Sequence, residues 1–293
     1  MTDVSVVVVS YSGLPWLERA LDSVRGHETV LVDHGSSDGT VQFVRDRYPD
    51  VAVVEEENRG LAFGWNTGVE RTSGRYVLLL NSDAWLDDGA LDALVAFADA
   101  QPRAAVVGPR LRYPDGRLQR SVRGFPTLWR IATEFFYIRK LAPHTRALNA
   151  FYAGGFDHAE VREAEVVMGA VWLVRREAIE QVGPADDAFF LFSEETDWAY
   201  RFRQAGWKVL FFPGAGATHV YAASHQGRLF VENLRGQLRF LHKHRGADYA
   251  EQARRLMLLA LRLRGVVVRG ERGRTYREGA RWLASGRVGD LLA

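Results

Sequence analysis

Three segments in the first 83 residues, "VSVVVVSY" at 4–11, "ETVLVDHG" at 28–35 and "RYVLLLNSD" at 75–83, carry three or four consecutive Val and Leu residues each. A strand wetted on one side alternates apolar and polar residues, so unbroken runs of this kind predict strands buried on both faces. Amphipathic stretches separate them: "LPWLERALDSVRG", and "SDGTVQFVRDRYP" with a helix start at Ser37 or Asp38. "VAVVEEE" reads as another strand and "GLAFGWNTGVERTSG" as a loop entering a helix. This rhythm predicts an α/β fold: a doubly wound, mostly parallel sheet with helices on both faces.

In such sheets ligands bind beyond the carboxyl ends of the strands. Three strand ends here are polar: Ser10-Tyr11, the run Asp33 to Gly39, and Asn81-Ser82-Asp83. They are expected to share one crevice. Residues two apart in an extended chain point the same way, so Asn81 and Asp83 can both face it, offering hard oxygen ligands suited to Mg²⁺ or Mn²⁺. Asp33 can accept hydrogen bonds from a base or ribose, while Asp38 equally suits a helix cap. Asn66, among Gly60, Gly64 and Gly68, offers one amide to a ligand. Neither a P-loop nor a G-x-G-x-x-G fingerprint is present, which removes support for nucleotide triphosphate hydrolysis and nicotinamide chemistry.

The segment 111–225 is less regular. Pro114-Asp115-Gly116 marks a hairpin turn, followed by a basic, aromatic loop. Residues 126–165 show no clear period. "GAVWLVRREAIEQVG" predicts a strand, then a helix stopped at Gly183, and "FFLF" predicts an aromatic strand or turn ahead of "SEETDW". Glu194, Glu195 and Asp197 complement the dipole of a helix start, or place a general base at the crevice, where neighbouring like charges raise a carboxyl pKa. His219, just after another strand, is a candidate metal ligand or diphosphate contact.

The chain has no cysteine, so a disulfide framework and a thiolate metal site are excluded. The apolar run at Val4 follows an acid and reads as a first strand rather than a signal peptide, and no stretch reaches the ~20 apolar residues of a membrane span. Residues 226–293 hold 15 Lys and Arg against 6 Asp and Glu, a surplus of nine in a chain whose net charge is +2. The basic tail is helical by pattern. In "AEQARRLMLLALRLRG" Leu256, Leu259 and Leu263 alternate with Arg255, Arg262 and Arg264. Two readings stand: a helix packed on the body, or a basic amphipathic helix on an anionic membrane. No nucleic-acid partner is expected, because the basic excess lacks interleaved aromatics.

Taken in order, "VVVVSY", "VDHGSSDGT", "NRGLAFGWNTG", "LLLNSDAW", "GAVWLVRREAIEQVG", "FFLFSEETDWAYRFRQAGWKV" and "ATH" resemble family 2 glycosyltransferases of the GT-A fold, most closely bacterial rhamnosyltransferase-like enzymes of cell-wall or surface polysaccharide synthesis. The resemblance implies a donor-binding half at 1–110, an acceptor and catalytic-base half at 111–225, and a helical tail at 226–293. It implies a nucleoside diphosphate sugar donor, uridine- or thymidine-linked, and a glycan or lipid-linked acceptor. By the same resemblance Ser10, Tyr11 and Asp33 contact the nucleoside, and Asn66, Arg71 and Ser82 line the donor side. Asp83, His219 and Asn81 hold Mg²⁺ or Mn²⁺, and Glu195 is the base with Glu194 beside it. Two departures stand out. Asn81 lies where an acid is common, and Glu195 where Asp is usual, so Glu194 or Asp197 could hold the base role. The processive Gln-x-x-Arg-Trp motif is missing, which implies single-residue transfer, and attack opposite the leaving diphosphate implies inversion. Rival readings are a non-catalytic GT-A protein that binds a nucleotide sugar or glycan, and a nucleotidyltransferase, which would need a Gly-rich basic loop that "SYSGLPWLERAL" does not supply.

Overall fold

A computed structural model describes residues 3–220 and 227–293. Strands β1 (Val4–Ser10), β2 (Glu28–Asp33), β3 (Val51–Glu55) and β4 (Tyr76–Asn81) pair in parallel in the order β3-β2-β1-β4. Helices α1 (Leu14–Asp22), α2 (Thr40–Arg47) and α3 (Leu61–Val69) make the crossovers. Strand β5 (Ala84–Leu86) and helix α4 (Ala90–Asp99) follow, then β6 (Ala104–Arg112), which turns through the expected hairpin into β7 (Leu118–Gln119). After β8 (Val122–Arg123), the segment without a clear period contains helix α5 (Leu128–Phe135), two short 3₁₀ turns and β9 (Arg162–Ala164). Strand β10 (Val166–Val167) pairs with β8. Strand β11 (Val171–Arg175), helix α6 (Arg176–Val182), helix α7 (Glu194–Gln204) and strand β12 (Lys208–His219) complete the body, and the order continues β4-β11-β6-β12-β5.

The sheet is mixed. Strand β11 lies antiparallel between β4 and β6, and β12 runs parallel to β6 but antiparallel to β5. Period-two geometry splits each buried run between the faces. Val6, Val8, Leu78 and Leu80 pack beneath α1, α2 and α4, whereas Val7, Val9, Val77 and Leu79 pack with Trp65, Trp172 and Trp198 on the side of α3 and α7. Helix α2 begins at Thr40, because Gly39 takes a left-handed conformation (φ +88°) that only glycine adopts freely. Asp38 still works there, accepting from Thr40 N and from Leu14 N of the neighbouring crossover.

The tail forms α8 (Gly227–Arg245), α9 (Ala247–Val267), α10 (Gly270–Ala284) and α11 (Val288–Leu292). Leu234, Leu238, Leu241, Met257 and Leu261 build a third core with Ile131 and Phe135 of α5 and with Phe189. The packed reading therefore holds for the inner face of α9, while Leu259 and Leu263 point outward. Among the described residues no helix is long and apolar enough to cross a membrane.

Candidate active site

Parallel register aligns the three polar strand ends. Ser10 sits opposite Asp33 in one ladder, and Val9 opposite Asn81 in the other. Ser10 is buried, and its hydroxyl has no hydrogen-bond partner among the described residues. Gly13 holds the next loop tight against these ends, since a Cβ there would lie 2.6 Å from Ser82 Oγ and 2.9 Å from Ser10 Oγ. Tyr11 is 63% exposed. The Asp33 carboxylate accepts from Ser36 N (2.8 Å) and Ser36 Oγ (2.6 Å), and Ser36 Oγ in turn accepts from Ser12 N (2.7 Å). Asp33 thus organises the two loops beyond the carboxyl ends of β1 and β2.

Beside these ends opens a crevice of roughly 770 Å³, lined by Asn81, Asp83, Glu194, Glu195 and His219 among others. Strand pairing creates the Asp83–His219 meeting. His219 is registered opposite Ala84, and Val220 N donates to Asp83 O at 3.0 Å. His219 Nε2 then lies 3.4 Å from Asp83 Oδ1, and its Nδ1 is 2.8 Å from Gln119 Oε1. An amide oxygen only accepts, so Nδ1 carries a hydrogen, and Nε2 is the ring atom turned toward the Asp83 carboxylate. An imidazole oriented by an outer partner beside a carboxylate is an arrangement that suits a divalent metal. Among the described residues no cluster of three or more His, Asp and Glu could hold a metal ion. Asp83 and His219 alone fall short of a complete ligand set.

The acidic helix start is built by strain and packing. Phe192 (φ +68°) and Ser193 (φ +72°) are both left-handed, a conformation that costs non-glycine residues about 1–3 kcal/mol each and concentrates at functional sites. "FFLF" is therefore a tight bend, not a strand. It is clamped from both sides: Leu61 N of α3 donates to Phe190 O, and Gly236 of α8 packs so closely that a Cβ would lie 2.4 Å from Phe192 O. Beneath α7, Trp65 stacks between Trp172 and Trp198 with centroids 6.2 Å apart on each side. Glu194 and Glu195 are thereby fixed at the crevice wall, each with one carboxylate oxygen lacking a partner among the described residues. Burial, and then the charge of Glu195, push the Glu194 carboxyl well above the ordinary glutamate range. Burial also raises Glu195, with Arg123 opposing it. Burial thus raises both carboxyls, and the charge of Arg123 favours the ionised form of Glu195.

Three expected site residues have other work. Asp197 faces away from the crevice and is wholly buried, bound by Arg201 (2.8 Å), Lys243 (2.8 Å) and His244 (2.7 Å). Three cationic or donor groups occupy its oxygens, so it is unsuited to take a substrate proton. Asn66 is spent on the backbone of Ala185, donating to its carbonyl (2.8 Å) and accepting from its N–H (2.9 Å). Exposed Arg71 follows the C-terminus of α3 and donates to Thr67 O. A crossover helix runs back along the sheet, so its end lies at the amino edge of the strands, opposite the crevice. Conversely, Gln119 and Arg123 line the crevice although nothing in their spacing marked them, and the tail contributes Asn233, Gln237 and Arg264.

Comparison with known proteins identifies the family and the fold. The model of the family described as "Glycosyl transferase family 2" matches residues 5–183. The chain is 34% identical over 245 residues to N-acetylglucosaminyl-diphospho-decaprenol L-rhamnosyltransferase of Mycobacterium tuberculosis, covering 76% of this chain and 78% of that protein. It is 23% identical over 256 residues to glycosyltransferase AglE of Haloferax volcanii, covering 80% and 71%. Among solved structures, GalNAc-T7 with UDP, GalNAc and Mn²⁺ superposes with a TM-score of 0.60 at 17% identity, across 99% of this chain and 57% of that one. S. aureus TarS 1–349 gives 0.53 at 15%, across 99% and 83%. These structural likenesses carry the fold, and the sequence match carries the family: the chain belongs to the family 2 glycosyltransferases and is an enzyme of sugar transfer.

Proposed function

We propose that the protein transfers L-rhamnose, with inversion, from a uridine- or thymidine-linked diphosphate donor to a hydroxyl of a lipid-linked saccharide. The observation that carries this reading is the meeting, in one crevice, of Asp83 and His219 with the carboxyl pair Glu194 and Glu195. The M. tuberculosis relative, named for rhamnosyl transfer to a diphospho-decaprenol-linked sugar, supports the choice of sugar and acceptor.

Ser10, Tyr11 and Asp33 bind the nucleoside end of the donor, and Ser82 the segment beside it. Asp83 and His219, with Asn81, would hold Mg²⁺ or Mn²⁺, which offsets the charge of the departing diphosphate. Glu195 takes the proton of the acceptor hydroxyl, and that oxygen attacks the anomeric carbon on the face opposite the leaving group. Glu194, whose carboxyl is raised by burial and by the charge of Glu195, lies beside it at the crevice wall.

The test is turnover of thymidine- and uridine-linked rhamnose with a short-chain lipid-diphosphate N-acetylglucosamine acceptor, with product anomers assigned by NMR. Metal-dependent release of nucleoside diphosphate with an inverted linkage supports the reading. Nucleotide binding without release, for every donor tried, would move the protein to the non-catalytic class.

A further inference from the structure

Helix α9 is covered on one side only. Ala250, Ala253, Met257, Ala260 and Leu261 are buried in the tail core. Its outward face does not turn polar over the last turns: Leu259 is 52% exposed, Leu263 53%, Val266 85% and Val267 80%. At 3.6 residues per turn, positions 255, 259, 262, 263 and 266 fall on one strip, so Arg255 and Arg262 flank the aliphatic residues. Single exposed aliphatics are ordinary, but four within nine residues form a patch that calls for a partner.

Beside the strip, a groove of roughly 530 Å³ runs between α9 and α10, lined by Arg262, Arg274, Arg277 and Arg281, with Glu278 as its single acid. Arg277 is anchored on Gly265 O. Arg262, Arg274 and Arg281 have no carboxylate partner among the described residues, whereas Arg235, Arg254 and Arg255 of the same tail do. Aliphatic side chains bordered by arginines match the acyl boundary and phosphates of an anionic bilayer. They match a second copy of this chain poorly, because a self-complementary contact would bring the arginines together.

The same turns of α9 also face the reaction. Arg264 lies on the opposite side of the helix, donates to Glu134 O at 2.6 Å, stacks over Tyr137 at 3.6 Å and lines the crevice. A surface that receives the strip therefore sits about one helix diameter, roughly 10–12 Å, from the crevice wall.

We propose that the end of α9, residues 259–267, together with the arginine groove, docks on an anionic phospholipid bilayer. Headgroup phosphates sit in the groove, and Leu259, Leu263, Val266 and Val267 enter the interface. An apolar and a basic signal together give firm attachment where either alone is marginal. The purpose of the docking rests on the lipid-linked acceptor proposed above, whereas its test does not.

The experiment is co-sedimentation of the full chain with vesicles of phosphatidylglycerol mixed with phosphatidylcholine, and of phosphatidylcholine alone. It compares wild type with Leu263→Glu/Val266→Glu and with Arg274→Glu/Arg281→Glu. These positions are solvent-facing, and circular dichroism together with turnover of a water-soluble acceptor confirms the fold of each variant. Wild type is expected to sediment with the anionic vesicles, less at high salt. Each double variant should lose on the order of tenfold or more in partitioning, with soluble-acceptor turnover unchanged. The proposal is overturned if wild type stays in the supernatant at low salt, or if both variants partition as wild type does. It is equally overturned if the aliphatic variant converts a dimer to a monomer without changing vesicle binding. Vesicle binding without turnover of a lipid-linked acceptor would leave the docking standing and remove the acceptor reading; turnover without vesicle binding would do the reverse.

Discussion

Asp197 Oδ1 lies 2.7 Å from His244 Nε2 and 2.8 Å from Lys243 Nζ, which joins the helix carrying Glu194 and Glu195 to the basic tail. The contact is fully buried on the aspartate side. Removing one partner from a buried pair leaves the others uncompensated, at a cost of about 3–5 kcal/mol. Asp197→Asn should therefore lower stability by several kcal/mol in urea unfolding. It should reduce kcat more than donor affinity, because it loosens the base rather than the strand ends. A variant as stable and active as wild type would remove the structural role assigned here.

The same residue predicts an acid transition. Burial opposes ionisation of Asp197, but hydrogen bonds from His244, Lys243 and Arg201 outweigh it and bring its pKa from 3.8 down to about 2. A depressed carboxyl contributes stability that is complete above 3.8 and is lost as pH falls through 3.8 toward 2. At 1.36 kcal/mol per unit this amounts to about 2 kcal/mol. The stability gap between wild type and Asp197→Asn should narrow by that amount between pH 6 and pH 2, read from urea midpoints at each pH.

The two glutamates should respond unequally. Glu195→Gln is expected to reduce kcat by about 10²–10⁴ with donor binding intact, as loss of a general base does. Glu194→Gln preserves the shape and hydrogen-bonding of a neutral acid and should cost far less. Because burial raises Glu195 above 4.5, kcat/KM should fall on the acid side through a pKa above that value. The reverse order of the two variants would transfer the base role to Glu194.

Gln119 offers a test of the proposed metal site that leaves Asp83 and His219 in place. It fixes His219 through Nδ1, and loss of such an outer partner commonly weakens metal binding 10–100-fold. Titration of Mn²⁺ into Gln119→Leu in the presence of nucleoside diphosphate should show that loss. Unchanged affinity would mean that His219 does not ligand the ion.

Much of this was legible from local pattern. The buried runs at β1, β2, β4 and β11 carry their own period, and Gly183 and Gly206 stop helices α6 and α7 with positive φ, so strand ends such as Asn81 and Asp83 could be placed in advance. What escaped depended on partners far along the chain. "FFLF" fits a strand or a turn locally, and the choice of a bend is made by Gly60 and Gly236. Gln119 sits on a two-residue strand too short to show any alternation. Asn66 resembles a ligand-binding amide until Ala185 arrives, 119 residues later, to use both its ends. Asp197 read as one of three interchangeable acids, because only the fold reveals that α8 claims it.

The close approach of Gly236 to the Phe192 carbonyl bears on how such enzymes can be recombined. The stretch shared with the family, residues 5–183, stops before Glu194, Glu195 and His219. Yet the bend that aims the two glutamates is braced by a helix that begins only at Gly227. A chimaera joined at the edge of the shared stretch would keep residues 5–183 and receive a foreign bend with no matching brace. Exchanging the acidic helix start between relatives thus requires moving residues 189–204 and 227–245 as one cassette, because each is the template on which the other is shaped.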